Sequence, residues 1–184
     1  MHVTKLLAGT IATAASASCG GTSQLQGTSA VATNENTPML QQLLARIDEL
    51  GGEDAYPVVP LDLFFESNDD PASFAPNLDP HPGIENIHRV LRSIEERPDV
   101  SAVVVQIAEV LDPPDWPYAS SVYVITSADA ADVHEWATSL EPDEFFPDAP
   151  DYGWGEYAGR SRETPPPGAP PVPAGHRPVI LFWD

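Results

Sequence analysis

The chain has 184 residues, of which 42% are hydrophobic, enough for one ordinary core, and it holds no apolar run of the length a membrane-spanning helix needs. Its 28 Asp and Glu against 8 Lys and Arg give a formal charge of −20, a field that repels phosphate backbones and argues against nucleic-acid binding. Cys19 is the only cysteine, which excludes an intramolecular disulfide and a thiolate zinc site.

Residues 1–19 have the three parts of a bacterial export signal: Lys5 in a short n-region, a mildly apolar run from Leu6 to Ala17, and small residues leading to Cys19. Ala15-Ser16-Ala17-Ser18-Cys19 resembles the lipobox of bacterial lipoproteins, although Ser16 stands where a Leu is usual. The resemblance implies cleavage before Cys19 and acylation of that residue, so that membrane contact runs only through a lipid anchor at Cys19. Several acyl chains would hold where a single one would not. Residues 20–37, rich in Gly, Ser, Thr, Gln and Asn, suit a disordered tether. Two alternatives stay open: a secreted chain cut after Ala17, and a cytoplasmic protein that starts at Met39. Only Lys5 and Glu35 are charged before Met39, so the whole −20 belongs to the part beyond it, where every base is an arginine.

From residue 38 onward the pattern is that of a single acidic α+β domain. Leu40, Leu43, Leu44, Ile47 and Leu50 recur at helical spacing, with Thr37-Pro38 at the start and Gly51-Gly52 at the end. Val58 to Phe65 reads as an extended apolar run, demoted to an edge by Pro57 and Pro60. After an Asn-, Asp- and Pro-filled loop over 66–82, Ile84, Ile87, Leu91 and Ile94 mark a second helix closed by Pro98. Glu85 and Arg89 stand at i,i+4 on its outer side. Ala102 to Leu111 reads as a central strand, with Val103, Val105 and Ile107 on one face and Val104 and Val110 on the other. Ser120 to Thr126 is its neighbour across the 112–119 loop. Ser127 is placed to cap a third helix in which Val133, Trp136, Ala137 and Leu140 share a face. Residues 141–176 are Pro-rich and irregular, and Val179 to Trp183 makes a last strand. After the first helix the order is β-α-β-β-α-β, which predicts a ferredoxin-like sandwich preceded by one extra N-terminal helix. Because both faces of the central strand are apolar, the face away from the helices needs a cover. The first helix is one candidate. The segment bearing Phe145, Phe146, Tyr152, Trp154 and Tyr157 is the other, and without either the face would be a partner surface.

The chemistry-bearing patterns are sparse. There is no Gly-x-Ser-x-Gly elbow, no P-loop and no His-Glu-x-x-His, and Gly153-Trp154-Gly155 follows no strand and opens no helix. The densest polar cluster is Glu66, Asn68, Asp69, Asp70, Asn77, Asp79 and His81, oxygen ligands with one imidazole that suit a hard cation but lack EF-hand spacing. Asx turns and a helix cap account for the same residues. His88, His134 and His176 have no ligand spacing. Glu109, on the central strand, is the acid that burial would perturb if it faced inward. Trp116, in Asp115-Trp116-Pro117-Tyr118, is either an interface anchor on a hairpin tip or a lid on the core. No cofactor or metal is expected.

Gly51-Gly52-Glu53-Asp54, Phe64-Phe65-Glu66-Ser67-Asn68-Asp69-Asp70, His81-Pro82-Gly83, Arg97-Pro98-Asp99-Val100, Trp116-Pro117 and Trp183-Asp184 resemble a group of small acidic bacterial proteins. No activity comes with that resemblance, and members of the group begin near the equivalent of Met39. The expectation is a non-enzymatic binding module at the cell envelope, meeting a basic or cationic partner, with Asp69, Asp70, Asp79, His81 and Trp116 as contact residues. An acidic cytoplasmic protein that neutralises a basic toxin is the alternative. An enzyme would need the 66–81 cluster to line a pocket with Glu109 or His81.

Overall fold

The computed structural model describes residues 37–143, 153–156 and 159–183, all within the unit Asn34–Asp184. The export-like segment, the tether, Cys19, Phe145, Phe146, Tyr152, Tyr157 and Asp184 lie outside the described residues.

Helix α1 spans Thr37–Glu49. Leu40, Leu43 and Ile47 fall on one stripe of a 3.6-residue helix, and all three are buried. Leaving the helix requires left-handed backbone, which Gly51 and Gly52 supply at φ of 104° and 77°. The Gly52 N–H then donates back to the Ile47 carbonyl at 3.0 Å, closing the last turn.

The apolar run after Pro57 is not one extended segment. Strand β1 covers only Val58–Pro60, and helix α2, Leu61–Phe65, begins at once. Pro60 has no N–H to continue a ladder, and beyond it Leu61, Phe64 and Phe65 sit at i, i+3 and i+4 and are buried together. Helix α3, Ile84–Glu95, buries Ile84, Ile87, Leu91 and Ile94 as its spacing predicts. Arg89 donates to the Asn86 carboxamide rather than pairing with Glu85. Strands β2, Val100–Glu109, and β3, Tyr118–Thr126, form a hairpin. Helix α4, Ala130–Ala137, runs into a short 3-10 turn, Thr138–Leu140, and strand β4 covers Arg177–Phe182. Ser127 is not the cap of α4. Asp129 holds that position, and the Ser127 N–H is used by the Asp99 carbonyl at 3.0 Å.

The four strands make one antiparallel sheet in the order β1-β2-β3-β4. The protein is therefore α+β, but the ferredoxin-like arrangement does not hold. A split βαβ unit needs parallel strands around a third, joined by a helical crossover from one end of the sheet to the other. Here α2 and α3 leave β1 and enter β2 at the same end of the sheet: Pro60 lies opposite Val104, and β2 starts at Val100. β1 and β2 thus become direct antiparallel neighbours. The connection through α4 and the Pro-rich segment likewise leaves at Thr126 and returns at Arg177, which are themselves partners.

Strand alternation then divides the side chains. Val59, Val103, Val105, Ile107, Val122, Val124, Val179 and Leu181 join the helices in the main core. Val58, Val104, Tyr123, Ile125 and Ile180 point to the other face. Val110, expected on that other face, packs against the helix side, because register shifts around Ile107 and Glu109 reverse the alternation.

The second face is covered by the Pro-rich segment and not by α1, which belongs to the main core. Trp154 is buried on Tyr123, with ring centroids 5.1 Å apart. Backbone bonds tie this strap across the sheet. Gly153 N–H of the strap donates to the carbonyl of Pro178 in β4, and Val58 N–H in β1 donates to the Pro167 carbonyl of the strap, both at 2.9 Å. Both outer strands are therefore partly paired rather than left as open edges. The strap passes so close to β1 that a Cβ on Gly168 would lie 2.3 Å from the Val58 carbonyl oxygen. Among the described residues no helix is long and apolar enough to cross a membrane.

Candidate functional site

The loop between α2 and α3 spends its polar groups on its own backbone. Asn68 is buried; its amide donates to Ser73 Oγ at 2.9 Å and its oxygen accepts from Asp70 N–H at 3.0 Å. The Asp70 carboxylate accepts from Ala72 N–H at 2.9 Å and caps the 3-10 turn Pro71–Ser73. His81 is pinned twice. Its Nδ1 accepts from Gly83 N–H at 3.0 Å, so the proton sits on Nε2, which donates to the Phe74 carbonyl at 3.0 Å. Asp69 and Asp79 are exposed. No group of three or more His, Cys, Asp or Glu comes together to hold a metal among the described residues. Asp69, Asp70, Asp79 and His81 are thus close in sequence without converging, because short Asx side chains and an imidazole meet loop backbone more readily than one another.

Trp116 does not sit on an exposed tip. It is 2% exposed and belongs to the helix-side core, so its ring is turned away from any partner. Glu109 is exposed at the end of β2 and is not embedded in the sheet.

Two features have no motif in the sequence. The first is a charged latch between α2 and α3. Asp62 Oδ1 meets His88 Nε2 at 3.0 Å, its other oxygen accepts from Arg92, and Arg92 also reaches Glu95 at 2.6 Å. The His88 ring lies flat on Phe65 with centroids 5.5 Å apart. Partial burial pushes the Asp62 carboxyl upward, but the His88 and Arg92 bonds outweigh it and hold the group below its ordinary range. The Asp62 bond raises the Arg92 guanidinium in turn. With both Asp62 oxygens engaged, this cluster fastens one helix to another. It was illegible because Asp62 reads as part of a strand.

The second is an open cleft of about 400 Å³ at the C-terminal end of α1. It is lined by Leu44, Ile47 and Val110 together with Asp48, Glu53, Asp54, Gly51 and Gly52. The glycine exit of α1 turns the chain so that the 3-10 turn Glu53–Ala55 faces the β2–β3 hairpin. Glu53 holds the two together by accepting from Val110 N–H at 2.5 Å. A smaller cleft of about 140 Å³ sets Asp79 near Ser139 and Glu141. Neither cleft is lined by His81 or Glu109.

Residues 39–181 match the model of the "Uncharacterized protein YfbO family". The chain belongs to the YfbO family. It is 34% identical over 129 residues to "Uncharacterized protein YfbO" of Escherichia coli, an alignment covering 70% of this chain and 83% of that protein. No solved structure matches the chain. The YfbO match begins inside α1 and ends inside β4, so it takes in both faces of the sheet, the latch and the larger cleft.

Proposed function

We propose that this YfbO-family chain is a non-enzymatic binding module whose acidic exterior meets a basic or cationic partner, held at the cell envelope through acylated Cys19. One observation carries the reading. A formal charge of −20 sits on a surface where, among the described residues, Val172 is the only exposed large hydrophobic side chain. Where the described residues expose so little large apolar side chain, charge is the stronger means of recognition, and fields steer and select partners more than they add raw affinity. Quantitative affinity capture at physiological salt tests it. The enriched proteins are expected to be more basic than background and to be released as salt is raised; enrichment indifferent to isoelectric point and salt ends the reading. Intact mass of the native protein tests the anchor: an acylated chain beginning at Cys19 is expected, and an unmodified chain beginning at Met39 would place the module in the cytoplasm.

A further inference from the structure

We propose that residues 170–173 of the strap are a polyproline ligand for a partner protein with an aromatic-lined groove, an inference that stands apart from the acidic-surface reading. Chain chemistry sets the shape first. In Ala169-Pro170-Pro171-Val172-Pro173, each proline ring fixes its own φ at about −65°. Ala169, Pro170 and Val172 each precede a proline, which disfavours the helical region for them as well. What remains is extended polyproline backbone with three residues to the turn, so Pro170 and Pro173 stand one turn apart.

The fold holds both ends of this run and leaves its middle open. Before it, the Pro167 carbonyl accepts from Val58 N–H at 2.9 Å, and Gly168 lies against the Val58 carbonyl. After it, the Pro173 carbonyl accepts from His176 N–H at 3.0 Å, and Arg177 enters β4 opposite Thr126. Between these points Pro170 is half-buried, while Pro171, Val172 and Pro173 are exposed. Val172 is the one exposed large hydrophobic side chain among the described residues. The carbonyls of Pro170, Pro171 and Val172 enter no backbone hydrogen bond among the described residues.

Those properties choose the partner. Residues 164–175 carry no charge, on a chain whose formal charge is −20, so this stretch has no ion pair to offer. It offers proline rings, a Val side chain and a row of open carbonyls. A groove lined by aromatic rings suits all three: flat rings pack on the pyrrolidines, and indole N–H or phenol O–H groups donate to the carbonyls. Because the run is ordered before docking, little conformational entropy is lost when it binds.

The test is NMR titration of the full chain with a panel of purified WW domains, small modules with an aromatic-lined proline groove. At least one is expected to bind, to shift the amide signals of Val172, Ala174 and Gly175, and to stay bound at raised salt. Pro171→Ala with Pro173→Ala is expected to weaken that binding by about tenfold, with the β3 signals unmoved as proof of folding. Pro165→Ala, at an exposed proline outside the run, is expected to leave the affinity unchanged. The proposal is overturned if no probe binds, if Pro165→Ala weakens binding as much as the double variant, or if binding disappears at raised salt, which would mean capture by charge. Movement of the Val172 signal on dilution alone assigns the run to a second copy of the chain and overturns it too. The basic-partner reading survives each of these outcomes, since salt-dependent capture decides it separately.

Discussion

On the helix side of the sheet, Leu43 of α1, Phe64 of α2, Leu91 of α3 and Val133 of α4 are all fully buried, so every helix contributes to one interlocked core. Phe74 sits within it, 5.3 Å from Phe65 and 5.0 Å from Trp183 by ring centroids. On the other side a single indole, Trp154, and a Pro-rich strap do the covering, held by a few backbone bonds to Val58 and Pro178. Burial is nearly as complete on both faces, but its construction differs. Where many elements share a core, losing one contact is felt by the whole fold; where one segment lies across a face, that segment can lift while the rest stays folded.

The comparison can be broken most directly by deleting one aromatic from each face. Phe74→Ala should destabilise the whole domain by about 5 kcal/mol, the upper end for a fully buried aromatic, and lower the urea midpoint without leaving a protected remnant. Trp154→Ala should cost about 3 kcal/mol, with faster amide exchange at Val58 and Gly153 while β3 stays protected. Equal costs with uniform loss of protection would mean that the strap is an integral part of the core. Next in size is Gly168→Ala. A Cβ there meets the Val58 oxygen at a backbone φ of +85°, so an expected cost of about 2 kcal/mol should again appear first as exchange at Val58.

The smallest effect concerns the latch beneath the helix side. Asp62 and Arg92 are both well exposed, so Asp62→Asn should cost less than about 1 kcal/mol at neutral pH. Its sign with pH follows from the lowered carboxyl. Asp62 is ionised more readily folded than unfolded, so its contribution is complete above the ordinary carboxylate range and is lost as pH falls through the lowered folded value. The gap between parent and variant should therefore close in acid; a gap that widens there would contradict the latch. High salt should shrink the gap at neutral pH as well.

Some of this was legible before any tertiary structure. The stripes Leu40, Leu43, Ile47 and Ile84, Ile87, Leu91, Ile94 identify their buried faces, because a 3.6-residue period puts those residues on one side whatever they pack against. The double-sided apolar character of β2 announces that both faces must be sheltered, and the Trp154 segment is among the covers it allows. Charge, too, is a sum over residues and needs no fold. The candidate site was far less legible. Asp70 and His81 look like ligands by type, yet type is silent on whether a side chain turns outward or caps its own loop.

What only the tertiary structure decided are relations between distant residues. Whether β2 lies beside β1 antiparallel or parallel depends on which end of the sheet α3 returns to, and local periodicity carries no information about that end. The same holds for the pairing of Asp62 with His88 and for the meeting of Glu53 with Val110 that walls the cleft. Local spacing determines which side of each element is apolar, because that is geometry within one segment. Long-range closure determines order, cover and cavity, because their free energy depends on contacts that exist only once the chain has come together.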